Sequence, residues 1–281
     1  MLTTEFRKKV SEIFLCDQRV KYSGDEKQKA DENRLSFLKK ALESGNFTKK
    51  EDVAFLLWHI SDTYALQRNY EKLYENHLRF SEHLKTMPAP YLFWCVCDAS
   101  QKFTLQLGGY NDFWYRLYKT SCELNQTVTA ENECIAFEAH RVATSRLKQF
   151  DCGKDNLIYA RAEFEKFLDQ NKTSKQYKFY QLIYKTNMMK VFGEIYSDID
   201  SACRSFYGGL TVAEEKSEYI FGEWQKLNGL RSERNRSVVA VTATVNAMID
   251  CGYDMDKIKS LYSEAIENGL PHNAYIEKRI K

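Results

Sequence analysis

YEKLYENHLRFSEHL, residues 70–84, returns in altered form as YNDFWYRLYKTSCEL at residues 110–124. At a spacing of forty, Tyr70, Leu73, Tyr74, His77, Leu78, Ser81 and Leu84 are matched by Tyr110, Phe113, Trp114, Leu117, Tyr118, Ser121 and Leu124. Offsets of three, four, seven and eight put such side chains on one stripe of an α-helix, since each residue advances about 100°. The same stripe written twice predicts a repeated helix. Each copy follows a turn, Arg68-Asn69-Tyr70 in one and Gly108-Gly109-Tyr110 in the other, so the repeated unit is a hairpin of two helices. The expected fold is all-α: a right-handed α-solenoid of stacked antiparallel helical hairpins.

The pattern extends in both directions. A first hairpin is expected at 4–20 and 30–44, a second at 50–66 and 70–86, and a third at 91–107 and 110–125. Thr48-Lys49-Lys50-Glu51 reads as a capping box opening the second, and Met87-Pro88-Ala89-Pro90 closes it. Two further pairs follow at 130–149 with 154–169 and at 174–192 with 195–207. In the last helix Tyr196, Ile199, Cys203 and Tyr207 restore the stripe, and Gly208-Gly209 should end it. An additional helix is expected at 210–228, then a polar loop from Gly229 to Arg236. A final pair occupies 237–251 and 254–268, followed by a short basic helix suited to capping the array. The organisation is thus a single helical-repeat domain over 1–281. It has an N-terminal hairpin (1–48), regular repeats (49–207), an extra helix and loop (208–236), and a C-terminal hairpin with its cap (237–281).

Composition agrees with this class. Proline occurs only at Pro88, Pro90 and Pro271, so long stretches are free of the residue that most reliably breaks helices. Basic and acidic residues number 41 and 39, a formal charge of +2, which gives no global field to draw nucleic acid or an anionic membrane. The densest basic cluster, Arg231, Arg234 and Arg236 with Lys226 upstream, is interrupted by Glu233 and reads as a solvated loop. No secretory signal opens the sequence, and no run of about eighteen apolar residues occurs, so a cytoplasmic protein without a membrane span is expected. The eight cysteines are scattered through a chain too long to need disulfide staples, and free, mostly buried thiols follow.

Few residues suggest chemistry. Cys95 and Cys97 diverge on a helix and do not share a metal; the five histidines show no His-Glu-x-x-His spacing. The paired glycines lack the lysine and spacing of a phosphate loop. No catalytic residue, metal or cofactor is therefore assigned, and an enzyme with an all-helical pocket is the least favoured reading. In a stacked array the first helix of each pair lines the inner groove. Polar residues on those helices are the binding candidates: His59, Asp62, Asp98, His140, Arg141, Asn187 and Asn246. Asn187 and Asn246 stand out because a carboxamide both donates to and accepts from a peptide backbone.

Leu57, Ile60, Ser61, Tyr64, Asn69-Tyr70, Leu73 and His77 resemble a tetratricopeptide repeat, and the resemblance extends loosely over residues 50–207. Ser61 stands where that family has glycine, and Leu73 and Phe80 where it has small residues. Val241 to Asn273, with Asn246-Ala247-Met248-Ile249-Asp250, Leu261-Tyr262 and Gly269-Leu270, resembles one pentatricopeptide repeat. The first resemblance implies a peptide- or protein-binding module, either a scaffold or a peptide-sensing regulator. No DNA-binding helix-turn-helix is legible at the N-terminus, so such a regulator is expected to act through a partner. The second resemblance implies RNA binding, the alternative reading.

Overall fold

The computed structural model describes residues 25–47, 49–86, 93, 96–97, 111–124, 133–149, 153–213 and 232–281, and its regular elements are all helices, with no strand among the described residues. No described helix is long and apolar enough to cross a membrane. The chain divides into two compact units, Met1–Tyr110 and Asn111–Lys281. The helix expected at 4–20 lies outside the described residues, as do most of those expected at 91–107 and 210–228.

The first unit contains α1 (Asp25–Glu43), α2 (Lys50–Leu66) and α3 (Tyr70–Leu84), with α2 packed against both neighbours. That placement explains why α2 is apolar nearly all round: Ala54, Phe55, Leu56, Leu57, Trp58, Ile60 and Tyr64 are all buried. Its N-cap is Lys49, and Thr48 of the expected capping box lies outside the described residues. A three-residue turn joins α2 to α3. Arg68 there takes a left-handed φ of 56°, and the Asn69 side chain caps α3 by accepting from Lys72 N–H. The repeated stripe is buried at Leu73, His77 and Ser81, but its edge is shifted from the expected one. Leu78 is 39% exposed, whereas Asn76 and Phe80 are buried. Asn76 donates through Nδ2 to the Leu57 carbonyl and to Ser61 Oγ, both at 2.8 Å, so the α2–α3 contact carries a buried polar network. Ser61 Oγ in turn lies 3.2 Å from His77 Nδ1.

The second unit runs through α4 (Asn111–Leu124), α5 (Glu133–Gln149), α6 (Lys154–Gln170), α7 (Tyr177–Phe192), α8 (Ile199–Arg204), α9 (Tyr207–Leu210), α10 (Glu233–Asp250), α11 (Met255–Glu267) and α12 (Ala274–Arg279). Helix α5 packs on α4, α6 and α7; α7 packs on α10; and α10 receives α8, α9, α11 and α12. Rings fill the interior. Phe137 stacks on Tyr180 with centroids 4.4 Å apart, and Phe164 and Phe167 close around them. Stacked and edge-to-face ring pairs of this kind add to what burial of their apolar area contributes.

Two boundaries differ from expectation. The helix expected over 195–207 is broken at Ser205-Phe206, and Gly208-Gly209 lie inside α9 rather than ending a helix. Gly209 is there because α10 passes against it: a Cβ at this position would meet Ser237 Oγ at 2.1 Å. The expected loop 229–236 ends early, since Ser232 caps α10 by accepting from Asn235 N–H and draws Glu233 to Arg236 into the first helical turn.

Candidate functional site

Helices α5, α7 and α10 of the second unit lie side by side and bring together three of the residues singled out from sequence, Arg141, Asn187 and Asn246. Arg141 on α5 makes a forked contact with Glu138, one arm of which spans 2.8 Å from Nε to Oε2. Asn187 on α7 is 7% exposed and reaches across to α5, where Nδ2 donates to the Arg141 carbonyl at 2.8 Å and to Thr144 Oγ1 at 2.6 Å. Both amide hydrogens are thereby used on α5. This fixes which end of the carboxamide is oxygen, and among the described residues none donates to that oxygen.

His140 takes a different place. Only 4% exposed, its ring lies over Phe164, and its Nδ1 pairs with the Tyr118 phenol of α4 at 2.9 Å. Burial, with the Lys166 ammonium nearby, lowers its pKa to about 3, so the ring is neutral at physiological pH. The same burial drives the Tyr118 phenol well above its ordinary value and the Cys122 thiol to about 12, leaving neither as a nucleophile. This cluster is core, held by packed rings and by hydrogen bonds that include the one between Tyr118 and His140.

On α10, Asn246 donates from Nδ2 to the Thr242 carbonyl at 3.0 Å and accepts from Arg279 Nη1 at 3.4 Å. Arg279 also donates to Asp250 Oδ1 at 2.6 Å and lies over the Tyr275 ring. The short basic helix α12 is thus folded back on α10. Lys190, one turn beyond Asn187, is 3.9 Å from Asp250 Oδ2, an ion-pair distance too long for a hydrogen bond. Burial pulls its pKa down, Asp250 opposes that, and the Arg279 and Arg141 guanidiniums add to the lowering. Lys190, Asp250 and Arg279 were not singled out from sequence. Lys190 stands at i+3 from Asn187 and Asp250 at i+4 from Asn246, so helical spacing could have found both. Arg279 carries no such signal.

In the first unit His59 is 7% exposed, with the ring centroids of Phe55 and Trp58 4.4 and 4.5 Å from its own. Asp62 is half-buried on the same helix, and Asp98 lies outside the described residues. An open cleft of about 610 Å³ lies between α1 and the α2–α3 turn, lined by residues that include Gln28, Asp31, Lys39, Tyr64, Arg68 and Lys72. None of the sequence candidates lines it. Among the described residues no three His, Cys, Asp or Glu side chains are placed to hold a metal ion.

The face formed by α5, α7 and α10 therefore offers an oriented amide acceptor flanked by a half-buried ammonium and two guanidiniums, with the carboxylates of Glu138 and Asp250 beside them. No protein-family model, curated protein or solved structure matches the chain.

Proposed function

We propose that this chain is a tetratricopeptide-like helical-repeat module that binds an extended peptide or a segment of a partner protein across α5, α7 and α10. The observation that carries the reading is Asn187. Its amide is anchored to α5 by two hydrogen bonds, and its acceptor oxygen is left for a group that none of the described residues supplies. An extended peptide offers N–H groups at a regular spacing, and a preset amide binds one without first losing rotamer freedom. RNA binding draws less support. Arg234, the middle of the basic cluster, donates to the Leu210 carbonyl, which takes up part of its guanidinium.

Affinity capture from the native lysate tests this, comparing wild type with Asn187→Ala after circular dichroism has shown equal helicity. A specific protein or peptide held by wild type and lost with the variant is the expected result. Retention unaffected by the substitution moves the site away from this face, and retention abolished by nuclease replaces the reading with RNA binding.

A further inference from the structure

We propose that the segment bound at this face is acidic: an Asp or Glu carboxylate of the ligand pairs with Lys190 while Asn187 holds the adjoining backbone N–H. The proposal rests on the peptide-binding reading above and gives it a ligand chemistry. Asn187 and Lys190 are three residues apart on α7, so their side chains project from neighbouring points of one stripe. Asn187 Oδ1 accepts, and Lys190 brings three N–H donors with no hydrogen-bond acceptor among the described residues. The nearest acid, Asp250, does not serve it fully. Asp250 commits Oδ1 to Arg279 at 2.6 Å, and its other oxygen stops 3.9 Å short of the Lys190 ammonium.

Charge points the same way. Arg279 takes Oδ1 of Asp250, and among the described residues Lys190 faces the Arg141 and Arg279 guanidiniums with the long contact to Asp250 Oδ2 opposite it. Lys190 is 38% exposed at its side chain, accessible to a ligand yet withdrawn enough from water to feel both guanidiniums. Those neighbours disfavour the charged ammonium, which Asp250 offsets only in part, and an arriving carboxylate favours it twice, by direct pairing and by screening Lys190 from Arg141 and Arg279. Tyr275, 64% exposed beside Arg279, adds an apolar surface for the residues flanking the acid. A neutral peptide satisfies Asn187 but brings no carboxylate to Lys190.

Selection of a displayed library of random dodecapeptides on the immobilised full chain tests this, with Lys190→Gln and Asn187→Ala as variants and Lys172→Gln, on a separate exposed pair with Asp169, as control. Wild type and Lys172→Gln should enrich peptides with an Asp or Glu at a fixed position. A synthetic peptide of that sequence should lose about tenfold in affinity when its acid is amidated or when Lys190 is changed, with no further loss when both changes are combined. Enrichment of peptides lacking an acid, with binding lost in Asn187→Ala but unchanged in Lys190→Gln, overturns the acidic preference and leaves the peptide reading intact. Failure to enrich any peptide overturns both. Preferential, salt-sensitive binding of polyuridylate, run in parallel, also overturns the proposal.

Discussion

His140 should make the second unit acid-labile in a window that can be calculated. An ordinary histidine titrates near 6.5, and in the folded chain this one titrates at about 3 because its charged form has no access to water. The unfolded chain therefore takes up a proton between these values and the folded chain does not. The stability held by the neutral ring is fully present above about pH 6.5 and drains away as pH falls towards 3. From pH 7 to pH 5 the difference is about 2 kcal/mol, and the whole shift corresponds to about 5 kcal/mol below pH 3. Other groups titrate in the same range, so the effect is isolated with His140→Gln, which offers the Tyr118 phenol a partner but takes up no proton. The variant loses the ring contact with Phe164 and should be less stable at pH 7 by about 1–3 kcal/mol. Its stability should nevertheless fall by about 2 kcal/mol less than wild type between pH 7 and 5. Urea unfolding followed by circular dichroism gives the two slopes, and hydrogen exchange of the α5 amides localises the loss. Parallel slopes for wild type and His140→Gln would refute the claim that the buried neutral ring is the source.

Gly209→Ala should cost about 1–2 kcal/mol in thermal unfolding despite alanine's better helix propensity, because the new methyl meets Ser237 Oγ at 2.1 Å; adding Ser237→Ala should restore part of the loss. If Gly209→Ala proves as stable as wild type, α9 and α10 do not approach as described. Asn76→Ala should destabilise by about 1–3 kcal/mol, since Ser61 Oγ loses a buried donor from α3, whereas Leu78→Ala on the exposed side of the same helix should cost less than about 1 kcal/mol. Equal losses at the two positions would contradict the shifted stripe.

Helix existence was legible wherever apolar spacing was strong. The expected span of α2, 50–66, coincides with the observed Lys50–Leu66, because a turn on each side leaves little choice of boundary. The breaks were less so. Gly208-Gly209 carries the signature of a helix end, but Gly209 serves the close passage of α10, a contact with a residue far along the chain that no local pattern announces. Ser232 was a usable cap signal outweighed by the charges that follow it. On α3 the apolar stripe drew attention to Leu78 and away from Asn76, since polarity hides a buried side chain whose partners come from another helix. The candidate face shows the same division. Asn187 and Asn246 could be picked out as amides on first helices, and His140 could not be told apart from them, because burial depends on the Phe164 and Tyr118 rings brought in by neighbouring helices. Arg279 reaches Asp250 only after α12 folds back, which the sequence does not state.

Asn187 grips α5 through the carbonyl of Arg141 and the hydroxyl of Thr144, not through the Arg141 side chain. Every residue at position 141 supplies that carbonyl. The spacing of α5 and α7 is thus insulated from the identity of the side chain that α5 displays there. Over evolutionary time, position 141 is free to change what the face recognises while the framework that presents Asn187 stays where it is.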